Sequence, residues 1–179
     1  VNPDMAIFGK ALGNGYAITA LIGRREIMEA AQSTFISSTF WTERIGSVAA
    51  LKTLEIMERD KSWETITNTG NNISKSWLNL GNKYKLDVSV SGLPALTGFN
   101  IHSDDWLKYK TLITQEMLKK GILATDSVYV CIEHKYRIVE DYFEKLEPIF
   151  EQIERCENGF PIDQLLDGSV CHVGFKRLN

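Results

Sequence analysis

Basic residues do not dominate this sequence. Lys and Arg number 20 against 23 Asp and Glu, a formal net charge of −3, so no positive field exists to draw in nucleic acid or anionic lipid. Long apolar stretches are missing too: none approaches the roughly 20 residues that span a bilayer. Cysteine is scarce, with three in 179 residues, Cys131, Cys156 and Cys171. Their odd number and wide spacing argue against a disulfide framework and for a reducing compartment, the cytoplasm. No CxxC or HExxH pattern occurs, so Cys171-His172 has no ligand set around it and no metal is expected. The opening residues Val1-Asn2-Pro3-Asp4 carry neither the basic nor the apolar part of a signal peptide. What is left, 44% hydrophobic and 24% charged residues, is the composition of an ordinary globular protein long enough to bury a core.

Against that plain background one stretch stands out. Met5-Ala6-Ile7-Phe8 is an apolar run of strand length stopped by Gly9, and Lys10 follows at once. Gly13 and Gly15 bracket Asn14, Tyr16 comes next, and a second apolar run, Ala17 to Ile22, ends at Gly23. Glycines let backbone segments approach closely, so a lysine among them is expected to point into a crowded region. Desolvation lowers the pKa of a lysine so placed and exposes a nucleophilic amine suited to Schiff-base chemistry. Standing alone, Lys10 would read as a structural lysine in a Gly-rich turn. Gly9, Gly13 and Gly15 do not make GxGxxG in a strand-to-helix setting, which sets dinucleotide binding aside.

Further on, Ser33-Thr34-Phe35-Ile36-Ser37-Ser38-Thr39-Phe40-Trp41 is rich in hydroxyls and aromatics. Hydroxyls and free N–H groups ahead of a helix suit an anion; the alternative for Ser38 and Thr39 is capping of that helix. From Ile45 the pattern turns helical, with Ala50, Leu51, Leu54 and Met57 as the stripe to bury. A second helix is marked by Trp63, Ile66, Gly70, Ile73, Trp77 and Leu80 and is expected to end near Gly81-Asn82. Strands are expected over 86–90, 96–101, 122–124 and 128–132, with a helix beyond Ser103 between the second and third. Val139, Phe143, Leu146, Phe150 and Ile153 mark a last long helix, which Pro148 is expected to bend or break. From about Trp63 this order reads as an α+β domain. His134 could serve as an acid or base, since histidine titrates near neutral pH, or could be a satisfied structural histidine.

Taken as a whole, Pro3-Asp4-Met5-Ala6-Ile7-Phe8-Gly9-Lys10-Ala11-Leu12-Gly13-Asn14-Gly15-Tyr16 resembles the pyridoxal-phosphate lysine segment of class III aminotransferases, with the glutamate-1-semialdehyde aminomutase-like branch nearest. The resemblance extends from Pro3 to Ile153 and implies an α/β fold, the C-terminal part of a type I PLP-dependent transferase. Residues 1–60 would be the end of the large cofactor domain and 61–179 the small α+β domain. A whole family member has an upstream segment with the remaining cofactor contacts, so this chain by itself is expected to be inactive. The resemblance implies pyridoxal 5'-phosphate as cofactor, with Lys10 holding its aldehyde as an imine. Thr39, with Ser38 beside it, would bind the cofactor phosphate of the neighbouring subunit, which implies a homodimer with shared sites. Tyr16, which directly follows the glycines of the lysine segment, is a substrate-side candidate, and so are Glu43 and Arg44, because Trp41-Thr42-Glu43-Arg44 stands where most members carry Asn-Pro. That departure points to an aminotransferase taking a small-molecule amino donor and a carbonyl substrate other than glutamate semialdehyde, a sugar-like one among the options. Two alternatives stay open: intramolecular transfer by an aminomutase, and a catalytically silent assembly module.

Overall fold

The structure is a computed structural model that describes residues 2–37, 39 and 42–174. The chain divides into two compact units, Val1–Ser62 and Trp63–Asn179.

In the first unit, β1 (Met5–Phe8) pairs antiparallel with β2 (Ala20–Gly23), Met5 opposite Gly23 and Phe8 opposite Ala20. Successive strand residues face opposite sides, and both strands are apolar on both sides, the pattern of strands covered on two faces. Here Ile7 is 76% and Ile22 57% exposed. A short helix, α1 (Arg25–Met28), runs on into a 3-10 turn, Glu29–Ser33. The long helix of this unit, α2 (Ile45–Asp60), stops at Lys61, whose left-handed φ of 44° and N–H bond to the Met57 carbonyl close the last turn. Its buried positions are Gly46 and Ala50. Leu51 and Leu54, expected to bury with Ala50, are 70% and 51% exposed, because the covered face passes through Ala49, Thr53, Ile56 and Met57 instead.

The second unit holds α3 (Ser62–Lys83, of which Trp63 onward belongs here), β3 (Val88–Leu93), β4 (Leu96–Ile101), α4 (Trp106–Lys119), β5 (Ser127–Tyr129) and α5 (Tyr136–Glu157). The strands form an antiparallel sheet in the order β3-β4-β5. The helices bury one apolar stripe each around it: Ile73, Trp77 and Leu80 from α3, Tyr109, Leu112, Ile113 and Met117 from α4, Leu146, Ile149, Phe150 and Ile153 from α5. Phe99 of β4 links these stripes, its ring 4.7 Å from that of Trp77 and 6.0 Å from that of Phe150. Trp77 Nε1 donates to the Tyr142 hydroxyl at 3.0 Å, so the indole's one polar atom is satisfied inside the core. Gly70 lets α3 sit on the β3–β4 turn, since a β-carbon there would fall 1.9 Å from the Pro94 carbonyl oxygen.

Three expectations are corrected. The α3 helix does not end at Gly81-Asn82 but runs to Lys83; Gly81 is a buried contact, where a β-carbon would lie 2.6 Å from Val88 Cγ2. Residues 122–124 form no strand, and the third strand is shorter than expected, Ser127–Tyr129. Pro148 does not break α5; Pro148 and Glu144 are both exposed, so the carbonyl one turn back that loses its donor lies on the solvent side. Among the described residues no helix is long and apolar enough to cross a membrane.

Candidate active site

Lys10 begins the turn that leaves β1. Its backbone is left-handed, φ 49°, a conformation that L-residues adopt at a cost and that concentrates at functional sites. The turn is held by its own amides: Gly13 and Asn14 N–H donate to the Lys10 carbonyl at 3.2 and 3.1 Å, and Leu12 N–H donates to Gly9 O at 3.1 Å. Gly13 is buried, and a β-carbon on it would sit 2.1 Å from the Tyr16 carbonyl oxygen and 2.8 Å from Ile18 Cγ2. The close approach falls at Gly13, and the expectation that the Lys10 side chain points into a crowded region is corrected: the side chain is exposed on this chain, and among the described residues no carboxylate or hydrogen-bond acceptor engages Nζ. The backbone of the turn is held by its own hydrogen bonds, and the amine extends from it into the open.

The remaining candidates separate. Tyr16 is 58% exposed, directly after the turn, with its N–H on Gly13 O at 3.1 Å. Thr39 lies exposed in a turn, whereas Ser38 and Trp41 lie outside the described residues. Glu43 has a local partner: Oε1 accepts the Ile45 N–H at 2.8 Å, capping the first turn of α2. That explains a charged residue where an uncharged cap would serve, since a carboxylate also complements the helix N-terminus. Arg44 is the exposed residue before α2 and makes no side-chain cap. Lys10 and this approach to α2 are brought together through α2 itself, which packs on the Lys10–Leu12 turn. A β-carbon at Gly46 would lie 2.7 Å from the Ala17 carbonyl oxygen, so the helix seats directly on the segment that leads from the turn to β2. That seat escapes a reading of the sequence; its one signal is a glycine inside a helical pattern.

His134 belongs to the second unit. Its Nδ1 accepts the Cys131 N–H at 3.1 Å, a bond that orients the ring and puts the proton of the neutral form on Nε2.

The Aminotransferase class-III family profile matches residues 1–156. Relatives include the 3-aminobutyryl-CoA aminotransferase of Cloacimonas acidaminovorans, 33% identical over 140 residues, 75% of this chain and 34% of that protein. The glutamate-1-semialdehyde 2,1-aminomutase of Methanocaldococcus jannaschii is 24% identical over 171 residues, 86% of this chain and 40% of that protein. The chain thus spans about a third to two fifths of the length of these relatives. Among solved structures, the PLP internal aldimine form of FumI from Sphingopyxis sp. MTA144 superposes with a TM-score of 0.79 at 22% identity, covering 93% of this chain and 41% of that one. A transaminase with PLP bound gives 0.73 at 20% identity, covering 88% and 40%. These likenesses show the fold, an α/β part of that found in PLP-dependent transaminases. With the match running over most of its length, the chain belongs to the class-III aminotransferase family.

Proposed function

We propose that the protein carrying this chain is a PLP-dependent enzyme that moves an amino group from a small-molecule donor to a carbonyl acceptor, with Lys10 as its catalytic amine. The observation that carries this reading is the Lys10 turn: an open amine on a rigid, left-handed backbone at a strand end, within the region of the family match. The residues present fit the cofactor, since the Lys10 amine is free of an ion pair and can meet an aldehyde. Pyridoxal phosphate, when bound, supplies an aldehyde that condenses with an amine with loss of water and a ring that takes up the electron pair of a broken Cα–H bond. Lys10 would hold the cofactor through its Nζ. The same Nζ, when free, would take up and return a proton at the substrate Cα, as base and then as acid. The Lys10 amine is exposed in this structure, and in this reading a covering surface buries it when the site is assembled.

Thr39 is assigned to the cofactor phosphate of a partner subunit, with Ser38 beside it, in a homodimer with shared sites. The first unit leaves apolar side chains uncovered, with Phe35 94%, Val48 64% and Leu51 70% exposed, surface that a partner subunit or another part of the same protein would cover. Residues 1–60 are read as the end of the cofactor domain and 61–179 as the small domain, in a cytoplasmic enzyme. Tyr16 and Arg44 remain the substrate-side residues, while Glu43 acts on α2. Transfer between two molecules is preferred to aminomutase chemistry because the relative at 33% identity is an aminotransferase; aminomutases among the relatives at 24% make the intramolecular reaction the second reading.

The test is an absorption measurement. Full-length protein mixed with pyridoxal phosphate should develop a band near the visible edge that borohydride removes and that Lys10→Ala never forms. A full-length protein without that band would leave the silent assembly module as the surviving reading. Turnover that needs an added carbonyl acceptor separates transfer between molecules from the aminomutase reaction.

A further inference from the structure

We infer that Ile18 is a positioning residue for Lys10, a spacer clamped between two glycines that fixes the reactive turn against helix α2. The inference rests on Lys10 being the catalytic amine. Two independent close approaches meet at this one side chain. From the turn side, a β-carbon on Gly13 would lie 2.8 Å from Ile18 Cγ2; from the helix side, one on Gly46 would lie 3.1 Å from Ile18 Cβ. Gly13 is tied to Lys10 by its N–H bond to the Lys10 carbonyl. Gly46 is one residue into α2, behind the Glu43 cap and the segment that bears Thr39. The chain of contact therefore runs Lys10, Gly13, Ile18, Gly46, and each step is backbone or a β-branched side chain.

The choice of residue follows from stiffness. Isoleucine is branched at Cβ and holds one preferred χ1 where the backbone restricts it, so it sets a fixed thickness between two backbone surfaces. Glycine on both sides removes any adjustable side chain from the stack. Ile18 is partly buried, and its contacts to the two backbones leave little room for either to shift. The seat sets the distance between a chain's own Lys10 and the approach carrying its own Thr39. In a dimer with shared sites these two residues serve different active sites, so one spacer governs the geometry of both.

The experiment uses full-length protein with pyridoxal phosphate and reads cofactor affinity and the pH midpoint of the long-wavelength band. Ile18→Ala deletes Cγ2 and should weaken cofactor binding and displace the pH midpoint, with turnover falling by up to about a hundredfold, the scale of loss that follows a misplacement of about 1 Å. Ile18→Val keeps both contacting atoms and should restore wild-type values. Ala50→Gly loosens the same helix away from the seat, and should lower the melting temperature while leaving affinity and midpoint unchanged. If Ile18→Ala does not fold, Gly46→Ala thickens the stack from the other side and should move the same two readouts. Wild-type affinity and midpoint in the seat variants, or an equal change in Ala50→Gly, overturns the spacer while Lys10 keeps its role. Absence of the band from the wild type overturns both.

Discussion

The two units of this chain are built on opposite terms. Among the described residues, every buried hydrophobic except Ala50 lies in the second unit, where three helices and a three-stranded sheet close around Trp77, Phe99 and Phe150. The first unit carries the candidate chemistry, Lys10, Tyr16, Thr39 and Arg44, and buries almost nothing. Its strand residues are apolar on both faces yet exposed, and the outer stripe of α2, Ile45, Val48, Leu51 and Leu54, is open at 57%, 64%, 70% and 51%. Stability and reactivity are thus held in different parts of one chain. A two-stranded hairpin is marginal in water without a packed face, whereas the second unit has both the sheet and the helices that cover it.

The largest expected effect tests that contrast directly. A fragment of residues 63–179 should unfold in one cooperative transition on denaturant titration, and a fragment of residues 1–62 should show none. Cooperative unfolding of the shorter piece would break the comparison. Next in size, Trp77→Ala removes a fully buried ring and its bond to Tyr142, and should cost about 3–5 kcal/mol by chemical denaturation. The smallest effect is electrostatic. Glu147 of α5 takes a hydrogen bond from Lys83 at the end of α3, and another from the Tyr84 hydroxyl at 3.1 Å. The Lys83 bond, then the Tyr84 bond, hold its carboxyl below the usual 4.5. A carboxylate lowered on folding stabilises above its unfolded value and loses that contribution as pH falls through the folded one. Denaturation midpoints of Glu147→Gln should therefore differ from wild type at neutral pH by a small margin and converge with it in acid below the ordinary glutamate range.

Much of this was legible in the residues. The Lys10 segment, the helix from Ile45 and the stripe Ile73, Trp77, Leu80 are patterns with a physical period or a dense motif, and the structure carries each of them. Where sequence and structure part, a residue type has a common local meaning and a tertiary contact decides otherwise. Gly81 has the composition of a helix stop, but α3 runs through it to Lys83 and the close approach of Val88 uses it. Leu51 and Leu54 follow a helical period, yet which stripe is covered depends on what lies against the helix, and that is not written in the helix. Pro148 does not interrupt α5, because an exposed position lets solvent take up the orphaned carbonyl. The Ile18 seat was invisible because its parts, at 13, 18 and 46, are far apart in sequence and individually ordinary. Glu43 was marked as a departure from the family pattern, and its cap on Ile45 supplies a local reason for it.

The bond from the Cys131 amide to His134 has a consequence for the whole second unit. An imidazole whose Nδ1 is already accepting can offer a neighbour only a hydrogen, never a lone pair. A group reaching that side of the second unit meets a hydrogen-bond donor, so carbonyl oxygens and anions fit there and ammonium groups do not. The ring that the sequence offers as an acid or base, or as a satisfied structural histidine, has one of its two nitrogens committed to the backbone.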